Sequence, residues 1–233
     1  MNQVNQHILE QLKHKLIVSC QARVGWPMYG PEIMAAFAAA AQQGGAAGIR
    51  ATGADNILKI KERVDLPIIG INKQFYDGYN VYITPSYESA REILEIGVEI
   101  IALDATPRKR PGGETVAYIL GQIREHYPDV LVMGEISTLE EAEAVLPLGF
   151  DIISTTLSGY TESSQDVKSV NLELIRQIVS RVNRTVNTAS PIVDARLEDG
   201  SRVHVVLEPV ALNGPILTIR KFPDPITMDR LLE

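Results

Sequence analysis

Three stretches decide how this chain folds: GAAGIRAT (45–52), GVEIIALDA (97–105) and GFDIISTT (149–156). Each opens on a glycine, and Gly45, Gly97 and Gly149 are spaced by 52 residues. Glycine is the residue that best takes the left-handed position just past a helix. The short apolar run after each glycine suits a strand covered on both faces. Equal spacing of three such junctions points to a repeated (βα)₂ module.

Outward from these stretches, apolar runs over 16–19, 46–50, 66–71, 99–103, 130–133 and 151–154 alternate with helical patterns over 31–43, 56–64, 86–96, 115–126 and 138–146. Thr138 and Glu141 have the spacing of a capping box. Strands alternating with helices imply a parallel sheet. Serial units of this size, without a G-x-G-x-x-G fingerprint, favour an α/β fold of the TIM (β/α)₈-barrel type over a doubly wound sheet. Six βα units are expected rather than eight, with the sixth helix over 172–182. A seventh strand would fall on RTVNTASP (184–191), which is polar and ends in proline, a poor buried strand.

Of the 233 residues, 22 are Lys or Arg and 29 are Asp or Glu, a net charge of −7. That excludes a non-specific nucleic-acid binder, whose affinity rests on basic surface. No apolar run is long enough to span a membrane. The N-terminal MNQVNQHILEQLKHK is polar, unlike a signal peptide, so a cytoplasmic protein is expected. A single cysteine, Cys20, rules out an internal disulfide framework. The four histidines are scattered without metal-ligand spacing. The charge is uneven: residues 1–177 hold 15 basic and 22 acidic side chains, the whole of the −7, and residues 178–233 hold 7 of each. A boundary between Arg176 and Ser190 follows, giving a barrel-like portion over 1–177 and a β-rich segment over 178–233.

In a barrel of this kind the active site lies at the C-terminal ends of the strands. The polar residues there are Gln21, Arg50, Lys73, Asp104, Glu135 and the pair Thr155 and Thr156. Polar residues are common where strands meet loops, but a polar residue after every strand points to a functional rim. A lysine held at such a rim is desolvated, which frees it as a base, against the alternative that Lys73 extends to solvent. Asp104 and Glu135 are acid partners or counter-ions for Arg50 and Lys73, and Arg50 suits a phosphate or carboxylate. Arg108, Lys109 and Arg110 before Gly112–Gly113 read first as a solvated charged loop, with a flexible loop near an anionic ligand as the alternative. Trp26 and Tyr29 flank the first rim loop.

These residues lie in motifs that carry a resemblance. LIVSCQA (16–22), QGGAAGIRA (43–51), LPIIGINK (66–73), YITPS (82–86), IALDATPRKRPGG (101–113), ISTLEEA (136–142) and GFDIISTTLSGYT (149–161) closely resemble the N-acetylmannosamine-6-phosphate 2-epimerases, over roughly residues 8 to 177. The resemblance implies a TIM barrel that interconverts the 6-phosphates of N-acetylmannosamine and N-acetylglucosamine in sialic acid breakdown. It implies no metal, no nucleotide or other cofactor, and an amino-sugar phosphate as the partner. It makes Lys73 the catalytic base, Gln21 and Arg50 substrate-binding, and Glu135 the acidic residue after strand 5, taken here as catalytic; Asp104, Thr155 and Thr156 join the substrate-binding candidates by their place at the strand ends. The family's acidic residue after strand 5 sits in an Ala-Asp-Ile-Ser context; this chain has Gly134-Glu135-Ile136-Ser137, one methylene longer.

The family continues with a strand of the type Pro-Val-Ile-Ala-Glu-Gly, whose Glu is a second acid/base, and a strand ending Val-Val-Gly-Gly that helps hold the phosphate. Neither motif occurs here. From about residue 178, SPIVDARLEDGSRVHVV and GPILTIRKF resemble the secretion and pilus-assembly ATPases just before their nucleotide-binding core. Runs over 192–197 and 202–207 flank Asp199-Gly200, a hairpin signal, and 216–221 adds a third antiparallel strand. No G-x-x-x-x-G-K-[ST] occurs, so the segment has no ATPase chemistry of its own. Three readings follow: an epimerase impaired by the loss of strands 7 and 8, an inactive fusion or truncated chain, or a secretion-system interaction module. A six-stranded barrel leaves strands 1 and 6 as open edges, and a homo-oligomer is one way to cover them.

Overall fold

A parallel sheet in strict chain order organises the molecule. The computed structural model describes residues 2–13, 15–167, 171, 173, 174 and 177, and the backbone of 192–196, 202–206 and 216–220. The strands are β1 (Ile17–Cys20), β2 (Gly48–Thr52), β3 (Ile68–Ile71), β4 (Ile100–Asp104), β5 (Leu131–Glu135) and β6 (Ile152–Ser154). Each pairs with the next, all parallel. Between them run α2 (Pro31–Gln43), α3 (Ala54–Lys61), α4 (Tyr87–Leu94), α5 (Val116–His126) and α6 (Leu139–Val145). The six expected strands and the five expected helices between them are there, with ends shifted by at most three residues; β4 and β5 run on to include their acidic residues. Most of the expected sixth helix and the whole of 184–191 lie outside the described residues.

The repeat glycines have the conformation that makes them necessary. Gly45, Gly97 and Gly149 have φ of +90°, +79° and +93°, the left-handed turn that ends a helix and redirects the chain into a strand. Thr138 and Glu141 form the expected capping box on α6, and Ser86 with Ser89 forms another on α4.

Alternation sorts the strand side chains onto two faces. Cys20, Ile49, Ala51, Ile101, Leu103 and Val132 face α2 to α6 and join one apolar cluster. Ile69, Ile71, Ile100, Ala102, Leu131 and Met133 face the other way and join a second. That inner cluster is completed by a helix the sequence reading does not include. In α1 (Gln3–Leu12) the Asn2 side chain caps the first turn by accepting from the Asn5 N–H. Ile8 and Leu9 then pack into the inner cluster, and Leu12 covers Gly48 at the start of β2. α1 therefore stoppers the N-terminal end of the strands and leaves the opposite end for chemistry.

Among the described residues β1 and β6 are the edges of the six-stranded sheet. A separate three-stranded antiparallel sheet follows: β7 (Ile192–Arg196), β8 (Arg202–Val206) and β9 (Ile216–Arg220). Cα atoms of β9 come within 8 Å of those of β6, without joining its ladder.

Helix α4 sits close on β3 because Gly70 has no side chain: a Cβ there would lie 2.5 Å from Ile93 Cγ2 and 3.1 Å from Val98 Cγ1. Gly70→Ala is expected to overpack this contact and destabilise by about 1–3 kcal/mol, read as a lower urea midpoint at unchanged m-value.

Candidate active site at the rim of the sheet

Extending the inner-face alternation to the strand ends carries Gln21, Arg50, Lys73, Asp104 and Glu135 to one face at one end. The residue types that sequence reasoning collected by position alone therefore converge for a geometric reason. The structure also sets them apart from one another.

Arg50 and Glu135 form the centre. Arg50 Nη2 donates to Glu135 Oε1 at 2.5 Å; the carboxylate is fully buried and the guanidinium side chain 15% exposed. Along the sheet β2 and β5 are three strand spacings apart, roughly 14 Å. The bond therefore crosses the concavity of a curled sheet. Four buried polar atoms at this rim have no protein partner: Arg50 Nε, Glu135 Oε2, Gln21 Oε1 and, beside Asp104, Arg110 Nη1. Buried polar atoms are ordinarily satisfied, so these are the donors and acceptors available to a polar ligand. The Gln21 amide is itself oriented by donating from Nε2 to Ser19 Oγ.

Lys73 stands beside this pair. Burial pulls its ammonium below the ordinary lysine pKa; Arg50 and Arg23 push the same way, and Glu135 opposes them. Its backbone N–H donates to Thr52 Oγ1 at 3.2 Å, which fixes the strand end from which the amine projects.

Lys73 is further held by a segment that folds back. Lys73 and Ile83 form an antiparallel bridge. The Gln74 N–H donates to Tyr82 O, and the Thr84 N–H donates to Asn72 O. Thr84 is the one non-glycine residue with positive φ among the described residues, at +46°. A β-branched residue there is strained, at a cost of about 1–3 kcal/mol. Its buried hydroxyl donates to Ala102 O at 2.7 Å and accepts from the Asn72 N–H at 3.1 Å. Two such bonds at about 0.5–1.5 kcal/mol each offset the strain. This return brings Tyr82 to the inner cluster, stacked on Phe75 at 5.1 Å. Burial, with Glu135 and Asp104, raises its phenol pKa against the opposing Arg108 and Arg23. Sequence reasoning missed Tyr82; the alternation in VYIT (81–84) is the signal that marks it.

Asp104 is next to Glu135 in register, but its carboxylate serves its own loop. Oδ1 accepts from the Thr106 N–H and hydroxyl, and Oδ2 accepts from Arg108 Nη2 at 2.5 Å. Arg110, 3% exposed, lies 3.6 Å from Oδ1 and donates to the carbonyls of Asp104 and Thr106. The reading of 108–113 as a solvated charged loop is thus corrected: the carboxylate draws two of its three basic residues inward. Thr155 and Thr156 lie in the turn after β6, where the Thr156 hydroxyl meets that of Ser154. Cys20 lies on the helix-facing side, and burial raises its thiol pKa, the opposite of an activated nucleophile. Among the described residues no group of three or more His, Cys, Asp or Glu is placed to hold a metal ion, and no helix is long and apolar enough to cross a membrane.

Residues 34–205 match the family model described as "Putative N-acetylmannosamine-6-phosphate epimerase", a match that runs past the composition change after Arg176. A protein of Caldanaerobacter subterraneus subsp. tengcongensis named "Putative N-acetylmannosamine-6-phosphate 2-epimerase" is 48% identical over 176 residues, 76% of this chain and 74% of its own. One of the same name from Listeria monocytogenes serotype 4b is 41% identical over 202 residues, 86% of this chain and 85% of its own. The solved N-acetylmannosamine-6-phosphate 2-epimerase from Clostridium perfringens superposes with a TM-score of 0.72 at 49% identity, covering 76% of each chain.

Removing one partner of a buried ion pair leaves the other charge uncompensated. Arg50→Met is expected to cost about 3–5 kcal/mol of stability. Arg50→Met combined with Glu135→Leu should cost less than Arg50→Met alone, read by urea unfolding of both variants in a double-mutant cycle.

Proposed function

The chain belongs to the N-acetylmannosamine-6-phosphate epimerase family, and from that premise we propose that it interconverts N-acetylmannosamine 6-phosphate and N-acetylglucosamine 6-phosphate by removing and returning the C2 proton. In the open-chain sugar that proton lies next to the C1 aldehyde, so its removal gives an enolate whose charge spreads onto O1. The reaction needs a base near C2 and positive charge or donors near O1.

Lys73 is the base in this reading. The observation that carries it is the half-buried amine whose pKa burial and two neighbouring guanidiniums depress, because a larger neutral fraction is what a lysine base requires. Arg50, with an unpaired Nε, supplies charge toward the enolate oxygen, and Gln21 Oε1 accepts from a sugar hydroxyl or the acetamido N–H. Asp104, Thr155 and Thr156 remain in the reading as contacts to the sugar chain, with Asp104 acting chiefly through the Arg108 and Arg110 it holds.

Inversion also needs a proton donor on the face opposite the base. Glu135 Oε2 is the candidate. Its other oxygen is ion-paired with Arg50, and the family's second acid, in the Pro-Val-Ile-Ala-Glu-Gly strand, has no counterpart motif in this sequence. Proton return is therefore the slow step, and turnover falls below that of a family member carrying the second acid. The three-stranded C-terminal sheet is, in this reading, an appended module that covers the open side of the sheet. Its likeness to secretion ATPases is one of sequence only. A phosphorylated sugar does not cross membranes unaided, which agrees with a cytoplasmic site of action.

Proton NMR in D₂O with N-acetylmannosamine 6-phosphate tests the reading. C2 deuteration and the N-acetylglucosamine epimer are expected from the wild type, with both slowed about 10²–10⁴-fold in Lys73→Ala. No exchange from the folded wild type would reject the function. Turnover equal to that of a complete family member would reject the impaired return step. The rate should rise with pH as Lys73 loses its proton, with a midpoint below the ordinary lysine value, since its pKa is lowered.

A further inference from the structure

The first rim loop holds a basic residue to which the proposed chemistry gives no contact with the substrate. Arg23 follows Gln21 by two positions, and its guanidinium sits over the Trp26 ring, 5.7 Å from the centroid. Trp26 itself is 56% exposed, so the indole is not kept there as core. Three other arginines near this rim each have a carboxylate: Arg50 has Glu135, and Arg108 and Arg110 have Asp104. Among the described residues Arg23 has no ion pair. Its charge nevertheless reaches the inner face of the rim, since it bears on both Lys73 and Tyr82.

An arginine whose guanidinium carbon rests over an aromatic ring and which has no ion pair keeps N–H donors free, and such donors match two oxygens of a phosphate. The pairing of Glu135 and Asp104 with arginines leaves no bare carboxylate among the polar residues gathered at the strand ends to repel a dianion, in a chain whose net charge is −7. A sugar with C2 at Lys73 carries its C6 phosphate four carbons away, on a neighbouring loop rather than on the base. We propose that Arg23, braced by Trp26, is the anchor for the phosphate monoester of the substrate. This rests on the sugar-phosphate reading above and names the residue that holds the phosphate.

Binding of inorganic phosphate separates this inference from the catalytic one. The wild type, Arg23→Leu and Arg23→Lys are titrated with inorganic phosphate by calorimetry, and kcat and KM are measured on N-acetylmannosamine 6-phosphate. Arg23→Leu is expected to weaken phosphate binding about ten- to a hundredfold and to raise KM more than it lowers kcat, with Arg23→Lys in between. Loss of the charge should also move the acid limb of the pH profile to higher pH, because Arg23 depresses the Lys73 pKa. Equal phosphate affinity in wild type and Arg23→Leu, or no binding by the wild type, overturns the anchor. Phosphate binding that depends on Arg23 in a wild type that does not epimerise keeps the anchor and rejects the epimerase function. Arg23 is exposed, so the variants are expected to keep the wild-type circular dichroism.

Discussion

The bond between Arg50 on β2 and Glu135 on β5 is the constraint on which the site depends. It joins strands separated by two others across the concave face. Burying both charges carries a desolvation cost that a hydrophobic pair would avoid, so stability alone does not explain it. What the pair does is fix two functional groups at once and set the local field. The guanidinium helps to hold Lys73 below its ordinary pKa, while the carboxylate limits that shift. The two charges thus act on Lys73 in opposite senses, on top of the lowering that burial supplies.

The remaining geometry supports that pair from three sides. Below it, α1 and the inner apolar cluster close the N-terminal end of the strands and leave the opposite end open. Beside it, the return of 81–84 onto β3 and β4 holds Lys73 and delivers Tyr82, with a strained Thr84 secured by its own hydroxyl. Strain of this kind persists where the surroundings over-determine it, commonly near functional sites. On the β4 side, Asp104 gathers Arg108 and Arg110. A residue that sequence reading makes a substrate contact is chiefly an organiser of its own loop.

The order of six strands, their helices and the identity of the polar rim residues were legible in the sequence. The reason is that each rests on local rules: alternation by two within a strand, glycine at a left-handed helix end, and a cap at the next helix start. The 52-residue spacing works because Gly45, Gly97 and Gly149 perform the same backbone task. α1 was not legible, since its apolar residues sit in a polar segment and find their partners on strands far along the chain. The inward fold of Arg108 and Arg110 was also hidden. A run of basic residues is ordinarily solvated, and only the position of Asp104 in space reverses that.

By itself, then, the sequence determined which residues alternate toward one face, the order of strands and helices and which family the motifs belong to, because periodicity and turn chemistry act over a few neighbours. Tertiary structure alone decided that Arg50 meets Glu135, that Lys73 is half-buried beside them, that Asp104 is occupied and that Arg23 is not. Those outcomes depend on the curl of the sheet and on distances between residues up to 85 positions apart. Charge pairing is settled by such distances, and no local pattern encodes them.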